Sequence, residues 1–124
     1  MTSAVQLDSH PDPALPNVLI VTLAGELDYT NTEHLHHQAL ALLEEGHRHL
    51  LLDVGGLTFC DSTGIRIFLA LRALIIGRGG IIALSDLTPH LRRIFAMTGL
   101  AQHFTLQPTR ADALALLRTS SPSS

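Results

Sequence analysis

The sequence predicts an α/β fold, with a mixed, mostly parallel sheet of about four or five strands packed with about four helices. Short runs of apolar, often β-branched residues alternate along the chain with longer segments whose apolar residues recur at helical spacing. Hydrophobic residues make up 46% of the 124 residues and charged residues 15%, so a compact core is expected. This length favours a single domain, with a core over about residues 4–118 and a flexible tail at 119–124.

The N-terminal part of the chain predicts two strands. Val5 and Leu7 alternate with polar residues, as in a short edge strand. The run Val18–Leu23 is almost entirely apolar and too short for a helix, so it predicts a buried strand that ends near Gly25. A hairpin of these two strands would make the sheet mixed rather than purely parallel.

The next segment predicts an amphipathic helix. Thr30 and Glu33 have the spacing of a capping box, in which each side chain satisfies a free backbone amide at the start of a helix. Gly46 is typical of a helix end. The predicted apolar face consists of Leu35, Ala39, Leu42 and Leu43.

Another strand and another helix are predicted next. His49–Val54 is an apolar run of strand length, and the glycine pair Gly55-Gly56 predicts a turn after it. The mostly apolar run Ile65–Ile76 is long enough for a buried helix, which would end at Gly77.

The strand–helix alternation continues with Ile81–Leu84, a third clear strand. Thr88 then predicts an N-cap and Pro89 the first residue of a helix that ends before Gly99. Such helices between strands connect the parallel strands of one sheet.

The C-terminal part predicts one more strand and one more helix. Phe104–Leu106 is a short apolar run of strand type. Thr109, followed three residues later by Asp112, predicts the start of a terminal helix that continues through Leu117.

Charge is unevenly distributed between the two halves. Residues 1–62 carry nine acidic residues against one Arg, a net charge of −8, whereas residues 63–124 carry seven Arg against two acidic residues, a net charge of +5. The chain as a whole has a net charge of −3, and neither half contains a dense basic block. Nucleic acid binding is therefore disfavoured, and a protein partner fits better.

Cysteine usage indicates a reducing compartment, and hydropathy gives no sign of a membrane segment. Cys60 is the only cysteine, which excludes a disulfide within the chain and a cysteine-based zinc cluster. Arginines and glycines interrupt the longest apolar region, Ile65–Leu84, and no basic segment precedes an apolar stretch at the N-terminus. Neither a signal peptide nor a membrane span is expected.

The most informative segment is Asp61-Ser62-Thr63-Gly64, which lies where a helix is predicted to begin. The first amides of a helix lack acceptors within the helix, and its dipole is positive there, so such an end tolerates a phosphate esterified to Ser62. The simpler interpretation is that Ser62 or Asp61 is only an N-cap, which contributes about 1 kcal/mol to helix stability.

Enzymatic interpretations of the chain find little support. The Gly-x-Ser-x-Gly elbow of a hydrolase is incomplete, because Cys60 precedes Ser62 where a glycine is required. Gly77-Arg78-Gly79-Gly80 precedes a strand rather than a helix, so it predicts a turn rather than a phosphate loop. His34 and His37 share a helix face but lack the pattern of a metal site, and no metal ion or other cofactor is expected.

Three segments in order resemble the anti-sigma factor antagonists of the STAS domain family. The resemblance covers about residues 4–118 and is specific because of the order and spacing of the segments. They are Gly25-Glu26-Leu27-Asp28, Phe59-Cys60-Asp61-Ser62-Thr63-Gly64-Ile65, and Leu91-Arg92-Arg93-Ile94-Phe95 with Met97-Thr98-Gly99-Leu100.

The resemblance implies a single STAS-like domain that acts as a bacterial cytoplasmic switch and is a substrate rather than an enzyme. The unphosphorylated form would bind an anti-sigma factor, usually a serine kinase, and so free a sigma factor. The family's acceptor is the serine after the aspartate, here Ser62; the kinase would phosphorylate it and a phosphatase would restore it. The implied partner-binding residues are Asp28, Asp61, Thr63, Gly64, Ile65 and Arg66.

The chain departs from the family pattern at two places. The family often has glycine two residues after the motif glycine, where this chain has Arg66, a cation expected to face the partner or to pair with the phosphate. Asn31 and Thr32 replace a Thr-Ala pair common after the acidic motif, and Thr30 is expected to cap the helix instead.

Two other functions remain open on the sequence. One is a STAS-type scaffold or regulatory subunit of a transporter or stress-signalling complex, in which Ser62 is never modified and partner binding is indifferent to Ser62→Ala and Ser62→Asp. The other is a small hydrolase or metal-dependent enzyme, which metal analysis and an esterase screen would reveal.

Overall fold

The structure is a computed structural model and describes residues 4–120. Its five strands are β1 (Val5–Pro11), β2 (Val18–Leu27), β3 (His49–Cys60), β4 (Ile82–Ser85) and β5 (Thr105–Gln107). Its four α-helices are α1 (Thr32–Leu43), α2 (Ser62–Gly77), α3 (Pro89–Met97) and α4 (Arg110–Ser120), and a 3₁₀ turn spans Leu100–His103.

The strands form one five-stranded sheet in the order of the chain, β1-β2-β3-β4-β5. β1 is antiparallel to β2, and the other neighbouring pairs are parallel. The predicted mixed sheet with an N-terminal hairpin is confirmed. Since parallel strands end at the same edge, the segments that follow β2 and β3 lie side by side.

β2 and β3 are longer than predicted. Both strands continue through glycines that were expected to end them, namely Gly25 in β2 and the Gly55-Gly56 pair in β3. Gly25 has φ +101°, and a Cβ there would lie 2.3 Å from the carbonyl oxygen of Ala4. A Cβ at Gly56 would lie 2.8 Å from the Cβ of Ala24. The pairing register shifts at these points, so the glycines form irregularities within the strands rather than turns.

The capping box predicted for α1 is wrong. The helix begins at Thr32 after Asn31, whose side chain makes no capping hydrogen bond, and Glu33 is exposed. The Thr30 side chain donates instead to the carboxylate of Asp28, two residues earlier. The Thr30 hydroxyl, which was expected to cap the helix, therefore forms a hydrogen bond within a local turn instead.

The other helix starts agree with the sequence. The Thr88 hydroxyl oxygen accepts from the amide of Leu91 at 3.2 Å, and that of Thr109 accepts from the amide of Asp112 at 3.1 Å. β4 and β5 each lie one residue later than predicted. Helix α4 extends through residue 120, so the first two residues of the predicted tail are helical, and residues 121–124 lie outside the described part.

Helices α1, α2 and α3 cover one face of the sheet, and α4 covers the other. The larger apolar cluster joins the first three helices to alternate residues of the strands, and its largest fully buried side chains include Phe68 and Phe95. The smaller cluster, on the α4 face, consists of Val18, Ile20, Leu51, Ala83, Ala113 and Leu117. The opposite parity of the strand residues in the two clusters is the two-residue period of a strand.

Helix α4 is held on the sheet by ion pairs in addition to apolar contacts. Arg110 donates from Nε and Nη2 to Oδ2 of Asp53 at 3.0 and 2.8 Å, and Arg118 donates from Nη2 to Oδ1 of Asp12 at 2.8 Å. The hydrogen bond from Arg118 is the main reason that the pKa of the buried Asp12 carboxyl lies below its ordinary value.

Candidate functional site

The predicted site residues lie at the carboxyl edge of the sheet, where β2 and β3 end next to each other. Leu27, the last residue of β2, is paired with Cys60, the last residue of β3. The 28–31 loop follows β2, and the start of α2 follows β3, so the sheet brings the two segments together. The Gly25–Asp28 motif and the serine segment are therefore neighbours in the fold.

Asp61 is the N-cap of α2 and also ties the helix to the neighbouring loop. Its Oδ1 accepts from the amide of Gly64 at 2.8 Å, and its Oδ2 accepts from the amide of Tyr29 at 3.1 Å. Its own amide donates to the carbonyl oxygen of Leu27 at 3.1 Å. A negative charge at this position also compensates the positive end of the helix dipole. The sequence predicted the cap, whereas the contact with Tyr29 depends on the pairing of β2 with β3.

Gly64 allows α2 to lie directly on the end of β2. A Cβ at this buried position would lie 2.8 Å from Cγ of Leu27, 3.0 Å from Sγ of Cys60 and 3.1 Å from the carbonyl oxygen of Leu27. Any side chain would push the first turn of the helix away from the sheet. Gly64 therefore lies beneath the site and allows the first turn of α2 to approach the sheet. It does not form part of the surface of the site.

Ser62 is the first residue of α2, and its side chain is exposed. Within residues 4–120, its hydroxyl has no hydrogen-bonding partner. Thr63 and Ile65 are half-buried, with Ile65 packed against the larger apolar cluster, and Arg66 is exposed one turn after Ser62. The serine is thus open to an approaching protein.

Asp28 organises the loop that lies beside the serine. Its Oδ1 accepts from the amide of Thr30 at 2.9 Å, and its amide donates to Oδ1 of Asn31 at 3.1 Å. Its carbonyl oxygen accepts from the amide of Thr32 at 3.0 Å and from the Thr32 hydroxyl at 2.6 Å. Only 9% of Asp28 is exposed, so its main role in the structure is to hold the turn in shape.

A groove between α1 and α2 begins next to the serine and was not predicted from the sequence. Tyr29 stands at its mouth with 77% of its surface exposed, an unusual position for the single tyrosine of the chain. The predicted residues Thr63 and Arg66 lie in its wall. The lining residues are Tyr29, Thr32, Glu33, His36, Thr63, Arg66, Ile67 and Ala70.

The site contains no activated nucleophile among the described residues. The Ser62 hydroxyl is bonded to no histidine or carboxylate there, and so no general base is in place. Burial, reinforced by the charge of Asp61, raises the pKa of the Cys60 thiol to about 12, so the thiol stays protonated. Residues 4–120 contain no cluster of three or more histidine, cysteine, aspartate or glutamate side chains able to hold a metal ion.

Over residues 4–120, every helix is too short or too polar to span a bilayer.

Comparison with known proteins agrees with this fold. The model of the family described as "Mlab, STAS domain" matches residues 12–108. The anti-sigma F factor antagonist of Paenibacillus polymyxa is 31% identical over 115 residues, which are 92% of this chain and 94% of the relative. The crystal structure of an anti-sigma factor antagonist from Mycobacterium paratuberculosis superposes with a TM-score of 0.82 at 25% identity, covering 93% of this chain and 95% of that chain.

A third comparison concerns SpoIIAA, an anti-sigma factor antagonist solved in two states. Its unphosphorylated form superposes with a TM-score of 0.75 at 22% identity, covering 96% of this chain and all of that chain. Its phosphorylated form, from Bacillus, superposes with a TM-score of 0.68. These likenesses show a common fold.

The match of the STAS domain model to residues 12–108, more than half of the chain, shows that the chain belongs to the STAS domain family. The members that it resembles are regulatory binding proteins rather than enzymes. Within the family, the chain groups with the bacterial anti-sigma factor antagonists.

Proposed function

We propose that this chain is a phosphorylation-switched anti-sigma factor antagonist of the bacterial cytoplasm. The unphosphorylated form binds an anti-sigma factor of the serine kinase type and thereby frees a sigma factor. Phosphorylation of Ser62 by that kinase ends the binding, and a phosphatase restores it. The observation that carries this proposal is the exposed Ser62 hydroxyl at the first residue of α2, at the end of the groove between α1 and α2.

The position of Ser62 suits a group that gains and loses a phosphate. The amide of Gly64 is already bonded to Asp61, while Ser62 and Thr63 precede it in the first turn, where amides lack acceptors within the helix. A phosphate on Ser62 therefore meets the positive end of the helix dipole. The backbone needs no rearrangement to accept the modification.

The added charge changes the surface that a partner meets. A phosphoserine carries about −1.5 to −2 charges near neutral pH, next to the carboxylate of Asp61, which remains engaged as the helix cap. A hundredfold loss of affinity requires about 2.7 kcal/mol. One like-charge contact removed from water at an interface supplies that amount.

The chemistry of phosphoryl transfer has to come from the partner. A serine hydroxyl needs ATP, Mg²⁺ and a catalytic base positioned around it, and residues 4–120 provide no such arrangement. This chain only presents the hydroxyl on a fixed first turn. The two solved states of SpoIIAA support the proposal, because a protein of this fold exists with and without the phosphoryl group.

The first test is the mass of the protein after reaction with Mg-ATP and an anti-sigma factor of the serine kinase type. Wild-type protein and the control Thr119→Ala, which removes an exposed hydroxyl on α4, are expected to gain about 80 Da, the mass of one phosphoryl group, and Ser62→Ala to gain nothing. Full labelling of Ser62→Ala would overturn the assignment of the acceptor.

The second test is the affinity of the same kinase for Ser62→Asp and Ser62→Ala, measured by isothermal titration calorimetry. Ser62→Asp is expected to bind about a hundredfold more weakly than wild type, and Ser62→Ala about equally well. Equal binding by all three proteins would contradict the switch and support a scaffold whose serine is never modified.

A further inference from the structure

Arg66 is the only arginine in the wall of the groove between α1 and α2, which includes Thr63 next to Ser62. The chain has no lysine, and the other titratable lining residues are Tyr29, Glu33 and His36. Arg66 is exposed, and within the described part of the chain its guanidinium has neither a hydrogen bond nor an ion pair. Other arginines on the molecule, such as Arg72 and Arg78, donate to backbone carbonyl oxygens instead.

The helix geometry directs Arg66 towards Ser62. Residues four apart in an α-helix are neighbours on its surface, and Ser62 and Arg66 both lie in α2. Each Cα–Cβ bond tilts towards the N-terminus of the helix, so the Arg66 side chain leans over the turn that holds Ser62. The reach of an arginine fits a phosphate on the side chain one turn earlier.

The other charges near Ser62 leave Arg66 as the favourable partner. The carboxylate of Asp61 occupies the amide of Gly64, and Glu33 faces the groove from α1, so both repel an added phosphate. Asp28 adds a third negative charge in the loop after β2. A phosphate on Ser62 therefore has negative charge beside it in the 28–31 loop and on α1. The exposed cation beside it on α2 is Arg66.

We propose that Arg66 is a positioning residue that binds the phosphate of phosphorylated Ser62 and is thereby withdrawn from the groove. This inference rests on the proposed function and adds a second element to the switch. Phosphorylation then both introduces negative charge at the end of the groove and removes the only arginine from its wall. A partner that recognises the unphosphorylated groove through an acidic group loses its counter-charge at the same moment.

The test uses protein in which phosphoserine is incorporated at position 62 during synthesis, so that it does not depend on any kinase. The second pKa of the phosphate, ordinarily about 6, is measured by ³¹P NMR titration in wild type, Arg66→Gln, Arg66→Lys and the control Arg93→Gln. Arg93 is an exposed arginine of α3, remote in sequence from the site, and His36 is unchanged in all four proteins.

Arg66→Gln is expected to raise the phosphate pKa by about 0.5 unit relative to wild type, because a neighbouring cation favours the dianion. Arg66→Lys is expected to restore most of the difference, Arg93→Gln to cause none, and 0.5 M NaCl to reduce it, since salt screens exposed ion pairs. Identical titrations of wild type and Arg66→Gln would overturn the pairing.

This outcome is separate from that of the proposed function. If the kinase fails to label Ser62 while the pKa difference is present, the proposed function fails and the Arg66 contact stands as a property of the phosphorylated chain. If labelling succeeds and the pKa difference is absent, the switch acts through the phosphate charge alone and the role given to Arg66 is wrong.

Discussion

The face of the sheet covered by α1, α2 and α3 and the face covered by α4 differ in the contacts that hold their helices. On the first face, a continuous apolar cluster joins three helices to the strands, with Phe68 and Phe95 edge to face at 5.8 Å between ring centroids. On the second, one helix covers a small apolar cluster and is fastened by ion pairs to Asp53 and Asp12. One helix buries less apolar surface than three helices do, so polar contacts should supply a larger share of what holds α4 on the sheet.

Polar groups are concentrated on the α4 face. Of the four polar or charged residues that are buried within residues 4–120, three lie on that side of the sheet: Asp12, His49 and Ser85. Strand register shows this for His49, which pairs with Val18 of the α4-face cluster, and for Ser85, which pairs with Asp53. Stability on this face should therefore depend on ionisation, whereas the face that carries the site should depend on packing.

The largest effect is expected from removing a ring in the apolar cluster. Phe68→Ala deletes a fully buried side chain and should lower the free energy of unfolding by about 3 to 5 kcal/mol. Leu117→Ala, a truncation on the α4 face, should cost less, because it removes fewer carbon atoms from a smaller apolar cluster. Urea denaturation at constant m-value measures both, and a greater loss for Leu117→Ala would contradict the comparison.

A smaller loss is expected from breaking the ion pair at the start of α4. Arg110→Met leaves the carboxylate of Asp53 with the amide of Gly55 as its described donor, at a cost of about 1 to 3 kcal/mol. Arg93→Met, an exposed arginine without a partner in the described residues, should change stability by less than about 0.5 kcal/mol. Equal midpoints for the two variants in urea would show that the pair contributes nothing.

Acidification should destabilise the α4 face at a higher pH than the other face. The expected loss of stability is smaller than that from the substitutions above. Burial, together with the charge of Arg48, lowers the pKa of His49 below its ordinary value of 6.5, and His49 Nδ1 accepts from the amide of Ile81 at 2.9 Å. As the pH falls, His49 is therefore protonated in the unfolded chain before it is protonated in the folded chain. Its contribution to stability is complete above pH 6.5 and falls as the pH drops towards the pKa of His49 in the folded chain.

The same reasoning predicts a second decrease at lower pH from Asp12. Its pKa lies below the ordinary 3.8, so its contribution is present above pH 3.8 and is lost as the pH falls through the folded value. Hydrogen exchange of α4 amides reports both steps. His49→Gln, which keeps an acceptor for the amide of Ile81, should remove the first step only; an unchanged profile would exclude His49 as its cause.

The smallest effect is expected at the first turn of α1. Glu33 caps nothing in the structure, so Glu33→Ala should shift the free energy of unfolding by less than about 0.5 kcal/mol. A capping box would lose about 1 kcal/mol. Thermal unfolding decides between the two, and a clear fall in Tm would restore the capping role that the sequence predicted.

The sequence predicted each strand and helix but misplaced several boundaries for one physical reason. Glycine pairs usually break a strand, yet Gly55-Gly56 lies inside β3, because the neighbouring strand supplies hydrogen bonds that hold the backbone extended across an irregular register. Thr30 likewise has the right spacing for a cap, and only the folded loop reveals that Asp28 binds it first. Local patterns do not specify which of two available partners a side chain takes.

The sequence by itself determined the order of the elements, the mixed sheet, the Asp61 cap and the serine segment, because apolar periodicity and capping chemistry are properties of neighbouring residues. Tertiary structure alone decided that Tyr29 stands beside Asp61, that Gly64 lies against Leu27, and that Thr63 and Arg66 share a groove with α1. These contacts join segments more than thirty residues apart, and they exist only because β2 and β3 end side by side.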